Sequence, residues 1–169
     1  MKKLSLEGLN FSTTEINIKN KIMTITLDRP EKKNAMNNVM MNEINYLLAY
    51  AKQEKDIRVV VFAANGDVFC AGADLSRTES KSNVPRLENS DDISLSLRHL
   101  YKPVICKIQG PVLAGALLIV SNATHAIAVD EATFSAPEIH RGLWPFMVMA
   151  GLFRVCLLYT SDAADECSG

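Results

Sequence analysis

Residues 105–120, Ile-Cys-Lys-Ile-Gln-Gly-Pro-Val-Leu-Ala-Gly-Ala-Leu-Leu-Ile-Val, restrict the folds open to this chain more than any other stretch. The spacing predicts a strand over 104–108 that enters a Gly-Pro turn. A helix over 113–122 follows, apolar on every side through Val120, and such a helix has to be buried. A strand that feeds at once into a buried helix calls for helices packed on a sheet, the α/β class. Ala114, Gly115 and Ala116 open that helix with side chains too small to cover the backbone. The first N–H groups of a helix lack internal partners and carry partial positive charge. Such a start suits an oxygen that turns negative during a reaction. On this stretch alone plain close packing is the favoured reading, since buried apolar helices are common and sites are few per protein.

A second stretch repeats the pattern. Residues 58–64 form a β-branched strand, and Asn65-Gly66-Asp67 is a turn signal. Val68-Phe-Cys-Ala-Gly-Ala-Asp-Leu75 then bares the backbone again at Ala71, Gly72 and Ala73. A short helix is expected to start there, with Asp74 in its first turn. Two bared sites, each following a strand, can place two N–H donors on one carbonyl oxygen, the outline of an oxyanion hole.

The remaining elements alternate in the same way. Residues 15–27 read as a hairpin turning at Lys19-Asn20-Lys21, closed by Asp28-Arg29-Pro30. Residues 31–36 read as a polar loop, and 1–14 as a loose lead-in. From Asn37 to Glu54, apolar residues recur at Met40, Met41, Ile44, Leu47, Leu48 and Ala51, the period of an amphipathic helix capped by Asn37 or Asn38. Residues 76–90 read as a loop and 91–101 as a helix with Ile93, Leu97 and Leu100 on one face. A strand over 125–129, an extended piece over 133–135 and a loop or helix opened by Pro137-Glu138 complete the order.

Composition narrows the function classes. The 169 residues are enough for one domain with a real core, and the 48% apolar and 22% charged content is ordinary for a globular protein. A net charge of −1 argues against a nucleic-acid partner. Cys70, Cys106, Cys156 and Cys167 have no metal-ligand spacing and read as reduced packing residues of a cytoplasmic protein. Cys70 adjoins the bared backbone and is the thiol that could react. His99, His125 and His140 are scattered, and His140 reads as a surface residue. No metal site, phosphate loop or signal peptide is evident. The apolar-rich stretch 143–159 is broken by Pro145 and Arg154, so no membrane span is expected.

Four motifs carry a family resemblance. Ile25-Thr-Leu-Asp-Arg-Pro-Glu-Lys-Lys-Asn-Ala-Met36, Phe69-Cys-Ala-Gly-Ala-Asp-Leu75, Lys102-Pro-Val-Ile105 with Gly110-Pro-Val-Leu-Ala-Gly-Ala116, and Phe134-Ser-Ala-Pro-Glu-Ile139 stand in the order and approximate spacing of the enoyl-CoA hydratase/isomerase (crotonase) superfamily. The likeness runs from about Ile16 to Arg154. It implies a spiral of ββα repeats and an acyl-CoA substrate whose thioester oxygen is held by the N–H groups of Ala73 and Gly115. It implies that the backbone around Ala35, Ala71 and Ala73 receives the adenine end of coenzyme A and that Gly72 and Asp74 are further substrate-binding positions, coenzyme A entering as part of the substrate with no separate cofactor. Glu138 matches a catalytic glutamate, a general acid/base. The second glutamate of the two-glutamate hydratases is replaced by Leu118, a substrate-pocket position. Two-base hydration is weakened, while isomerisation, single-base hydration and decarboxylation stay open, as does an acyl-CoA binder without activity.

Residues 157–169 depart from the family pattern and read as adaptor or cloning-derived sequence. The expected division is therefore a spiral domain over 1–154 and an unrelated tail over 155–169. Family members continue into a helical region that closes the pocket and assembles homotrimers or hexamers, so a truncated gene product is expected.

Overall fold

The computed structural model describes residues 3–76, 82–87 and 92–155. Residues 156–169 of the expected tail, with Cys156 and Cys167, and much of the expected 76–90 loop lie outside these residues.

The expected hairpin is β1 (Thr14–Lys19) and β2 (Ile22–Leu27), paired antiparallel. Its two turn residues, Asn20 and Lys21, both sit in the left-handed region at φ 52° and 64°. A two-residue turn of this kind matches the right-handed twist of the strands it joins. From β2 the sheet grows by parallel addition of β3 (Val59–Ala64), β4 (Val104–Ile108) and β6 (His125–Ala128), in the order β1-β2-β3-β4-β6.

Strand side chains alternate between faces, and one face is uniformly apolar. Met23, Ile25, Leu27, Val60, Phe62, Val104, Cys106 and Ile108 are all buried on it. Helix α1 (Asn38–Gln53) covers this face with Met40, Ile44, Leu47, Leu48 and Ala51. Asn37 caps it, its side-chain oxygen accepting from Met40 N–H at 2.9 Å. Helix α2 (Ile93–Arg98) is capped by Asp92 and buries Ile93 and Leu97, while Leu100 is buried just beyond it.

A second, shorter ladder runs beside the first. Met36 bridges Ala73, Cys70 bridges Val112, and β5 (Val112–Leu113) pairs with β7 (Phe134–Ser135), all parallel. Each turn of chain contributes a strand to the large sheet, an extended piece to the small ladder, and then helix or 3₁₀ turn. The sequence β4, β5, then α3 (Leu117–Asn122) shows the unit most plainly. This is the ββα spiral that the resemblance implies, and the class is α/β as expected. The last unit ends in α4 (Phe146–Val155), which packs on α3.

Four expectations change. The helix expected over 113–122 is divided into β5, a 3₁₀ turn at Ala114–Ala116 and the six-residue α3. No helix follows Ala73 in residues 74–76. The 31–36 stretch is less a solvated loop than a plug, because Asn34 has no exposed surface. The lead-in is fastened rather than loose at residues 12–14. Glu43, fully buried on α1, accepts from Ser12 N–H and Oγ, Thr13 N–H and Oγ1, and Thr14 Oγ1 at 2.6–3.1 Å.

β6 ends the large sheet among the described residues, and each of its residues is exposed. Phe134, Ile139, Leu143, Trp144, Phe146 and Phe153 are further exposed apolar side chains. Among the described residues no helix is long and apolar enough to cross a membrane.

Glu43→Ala leaves five donors without their acceptor in a buried setting. We expect a loss of about 2–4 kcal/mol in urea unfolding, together with faster proteolytic cutting ahead of β1.

Candidate active site

The two bared bends meet. Gly72 lies at φ +89°, in the region that favours glycine, and a Cβ there would fall 2.7 Å from Ala114 Cβ and 3.0 Å from Gly115 N. A Cβ on Gly115 would lie 3.7 Å from Ala73 N. Ala114 itself is left-handed at φ 52°, a conformation that costs a non-glycine residue about 1–2 kcal/mol. Residues held this way cluster at functional sites.

Strand register decides where the amides point. The bridge to Met36 uses the Gly72 carbonyl, which accepts from Met36 N–H, and the Asp74 N–H, which donates to Met36 O. Neighbouring peptide groups in an extended chain face opposite edges, so the Ala73 N–H faces the edge away from Met36, where Gly115 lies. Gly115 is the second residue of its 3₁₀ turn, where an N–H has no partner within the turn. With only six residues in α3, the amide itself supplies the local positive charge, rather than a long helix dipole as expected.

Asp74 does not start a helix. Its Oδ2 accepts from Arg29 Nη1 at 3.0 Å and its Oδ1 from Ser76 N–H at 2.9 Å. The hydrogen bonds from Ser76, reinforced by Arg29, pull its carboxyl down to about 2. Arg29 also donates to Ala35 O, so one guanidinium joins the 29–36 loop to the far side of the Gly72–Ala73 bend. The peptide groups expected along coenzyme A carry framework bonds as well. Ala71 N–H donates to Lys33 O at 2.9 Å, and Gly72 N–H donates to Cys70 Sγ at 3.4 Å. Arg29 and Asn34 escaped the sequence reading as site residues, although both sit inside its first motif.

Cys70 is not a reactive thiol. It is buried, and burial pushes it up to about 11, away from the thiolate that reacts. Cys106 is likewise buried and pushed up to about 12.

Glu138 comes from the next spiral turn. Ser135, at the end of β7, pairs with Leu113, two residues before Gly115. Both chains leave the ladder in the same direction, one into the 3₁₀ turn Ala114–Ala116 and the other into the 3₁₀ turn Pro137–Arg141 that carries Glu138. Glu138 Oε2 is buried and has no hydrogen-bond partner among the described residues. Leu118 is half-buried on α3, and His140 is exposed. Among the described residues no His, Cys, Asp and Glu group could hold a metal ion. A cavity of about 410 Å³ lined by Leu97, Arg98, Tyr101 and Lys102 opens beside Val104, at the start of β4, whereas the bends follow the strand ends.

Similarity to known proteins identifies the family. Residues 17–156 match the profile of the enoyl-CoA hydratase/isomerase family. The probable enoyl-CoA hydratase echA12 of Mycobacterium bovis is 35% identical over 135 residues, covering 72% of this chain and 46% of the relative. The trans-2-decenoyl-[acyl-carrier-protein] isomerase of Streptococcus mutans is 32% identical over 144 residues, covering 81% of this chain and 55% of the relative. The crystal structure of an enoyl-CoA hydratase/isomerase from Mycobacterium paratuberculosis superposes with a TM-score of 0.75 at 25% identity, covering 86% of this chain and 59% of that one. The chain thus spans about half the length of the curated relatives it matches.

Gly72→Ala places a methyl group between the bends and strains the backbone. We expect a lower thermal midpoint, with altered amide chemical shifts at Ala73 and Gly115 by NMR. Asp74 titrates in the folded state below its unfolded value of about 3.9. Its contribution to stability is therefore complete above about pH 4 and disappears as pH falls toward about 2. Acid unfolding of Asp74→Asn should show a shallower loss of stability across that window than the parent.

Proposed function

The chain belongs to the enoyl-CoA hydratase/isomerase family, and we propose that it holds an acyl-CoA thioester oxygen between the N–H groups of Ala73 and Gly115. The observation that carries this reading is the apposition of the two bends, with Gly115 packed against Ala73 N and Gly72 against Gly115 N. Backbone donors fixed by strand register are in place before charge develops and need no reorganisation. Loss of one such donor typically costs about 3–4 kcal/mol in rate. Ala35, Ala71, Gly72 and Asp74 then border the coenzyme A portion of the substrate, and the reading calls for no metal and no separate cofactor.

Glu138 moves the proton. Its Oε2 is withdrawn from water and unengaged among the described residues, so it is available to a substrate C–H. Leu118 stands where a second carboxylate would help to hold a water, and an apolar side chain there keeps the pocket dry. One carboxylate in a dry pocket suits double-bond isomerisation better than hydration. Glu138 takes a Cα proton from a 3-enoyl thioester, and the electron pair spreads into a dienolate whose oxygen rests on the two amides. The same carboxyl then returns the proton to Cγ, leaving the 2-enoyl thioester. Single-base hydration uses the same groups with water added at Cβ.

A second reading is binding without turnover, favoured by Leu118 at the position of the second carboxylate. The wider setting that follows is cytoplasmic fatty-acid metabolism, with a trimer or hexamer for chains of full family length.

Enoyl thioester absorbance with a 3-enoyl-CoA substrate tests the proposal. The parent chain should convert it, and Glu138→Gln should lose about 10²–10⁴ in rate with little change in substrate affinity. Parent-like rates in the variant would exclude Glu138. Binding by the parent with no absorbance change would select the second reading.

A further inference from the structure

We infer that Asn34 is a positioning residue that holds the Gly72–Ala73 bend in register with Gly115, an inference resting on the proposed role of those amides. Asn34 is completely buried in a stretch of otherwise polar sequence and sits at φ 53°. Asparagine tolerates that conformation better than most residues. Its side chain is fully engaged. Oδ1 accepts from Arg29 N–H at 2.8 Å, and Nδ2 donates to Asn65 O and to Val68 O, each at 2.8 Å. Those two carbonyls bracket the turn that leads from β3 toward the bend. The Asn34 carbonyl in turn accepts from Cys70 Sγ at 3.0 Å, and the same sulfur accepts from Gly72 N–H at 3.4 Å.

Asn34 therefore fixes both ends of the 65–72 connection, the turn directly and the glycine through one sulfur atom. An aliphatic replacement leaves two buried carbonyls unpaired. Aspartate keeps the acceptor but has no proton to donate when ionised. Glutamine reaches too far and disfavours the left-handed backbone. The arrangement calls for asparagine specifically, and nothing in it touches the space between the bends. Its action on any substrate passes through the geometry of Gly72 and Ala73.

The test compares the parent chain with Asn34→Gly, which keeps the backbone freedom and removes the side chain. Glu43→Ala serves as a destabilised control remote from the site. Native-state amide hydrogen exchange in Asn34→Gly should accelerate at least about tenfold at the bonded amides of the bend, Gly72 and Asp74, and by more than at Ile25 and Phe62. Glu43→Ala should not accelerate Gly72 and Asp74 beyond Ile25 and Phe62. Unchanged exchange at Gly72 and Asp74 in Asn34→Gly, or equal acceleration there in both variants, would overturn the assignment. Where Asn34→Gly does not fold, Asn34→Asp is read by the same criteria. In a chain that turns over, Asn34→Gly should lower kcat more than it raises KM. The exchange result decides the role of Asn34 even when no turnover is seen, so its failure and that of the proposed chemistry are read separately.

Discussion

The close approach of Gly72 to Ala114 and Gly115, which leaves no room for a Cβ, is the constraint from which the rest follows. Parallel strands stack at about 4.8 Å, and the spiral repeats at that pitch in both ladders. Equivalent points on consecutive turns therefore arrive side by side. Ala73 and Gly115 are far apart in the chain yet occupy corresponding bends, and Glu138 follows one turn later. A side chain at position 72 would separate the turns at the place where both leave the small ladder.

Much of this was readable because it depends on short-range patterns. The two-residue alternation of the hairpin, the 3.6-residue period of α1 and the β-branched run of β3 each identify an element and its buried face. The paired Ala-Gly-Ala segments identified the bends, since small residues are required where backbones nearly touch. Their apposition was expected from the family resemblance and not from local pattern, because it depends on a pitch that only stacked strands create.

The misreadings share a cause in long-range polar contacts. Asp74 looked like a helix-start residue until Arg29, distant in sequence, claimed its carboxylate. Asn34 looked solvated because lysines precede it, yet three of its polar partners, Asn65, Val68 and Cys70, come from another segment. Glu43 left a clue, lying among Met40, Ile44 and Leu47 on the apolar side of α1, with a Ser-Thr-Thr run upstream to satisfy it. A charged residue in a hydrophobic stripe signals a buried cluster of donors elsewhere in the chain.

Among the described residues the β6 edge of the large sheet carries an exposed Ile127, and Phe134 and Trp144 are exposed as well. A strand at the edge of a sheet is a template on which another extended chain can add, and β6 is where such an addition would continue the large sheet.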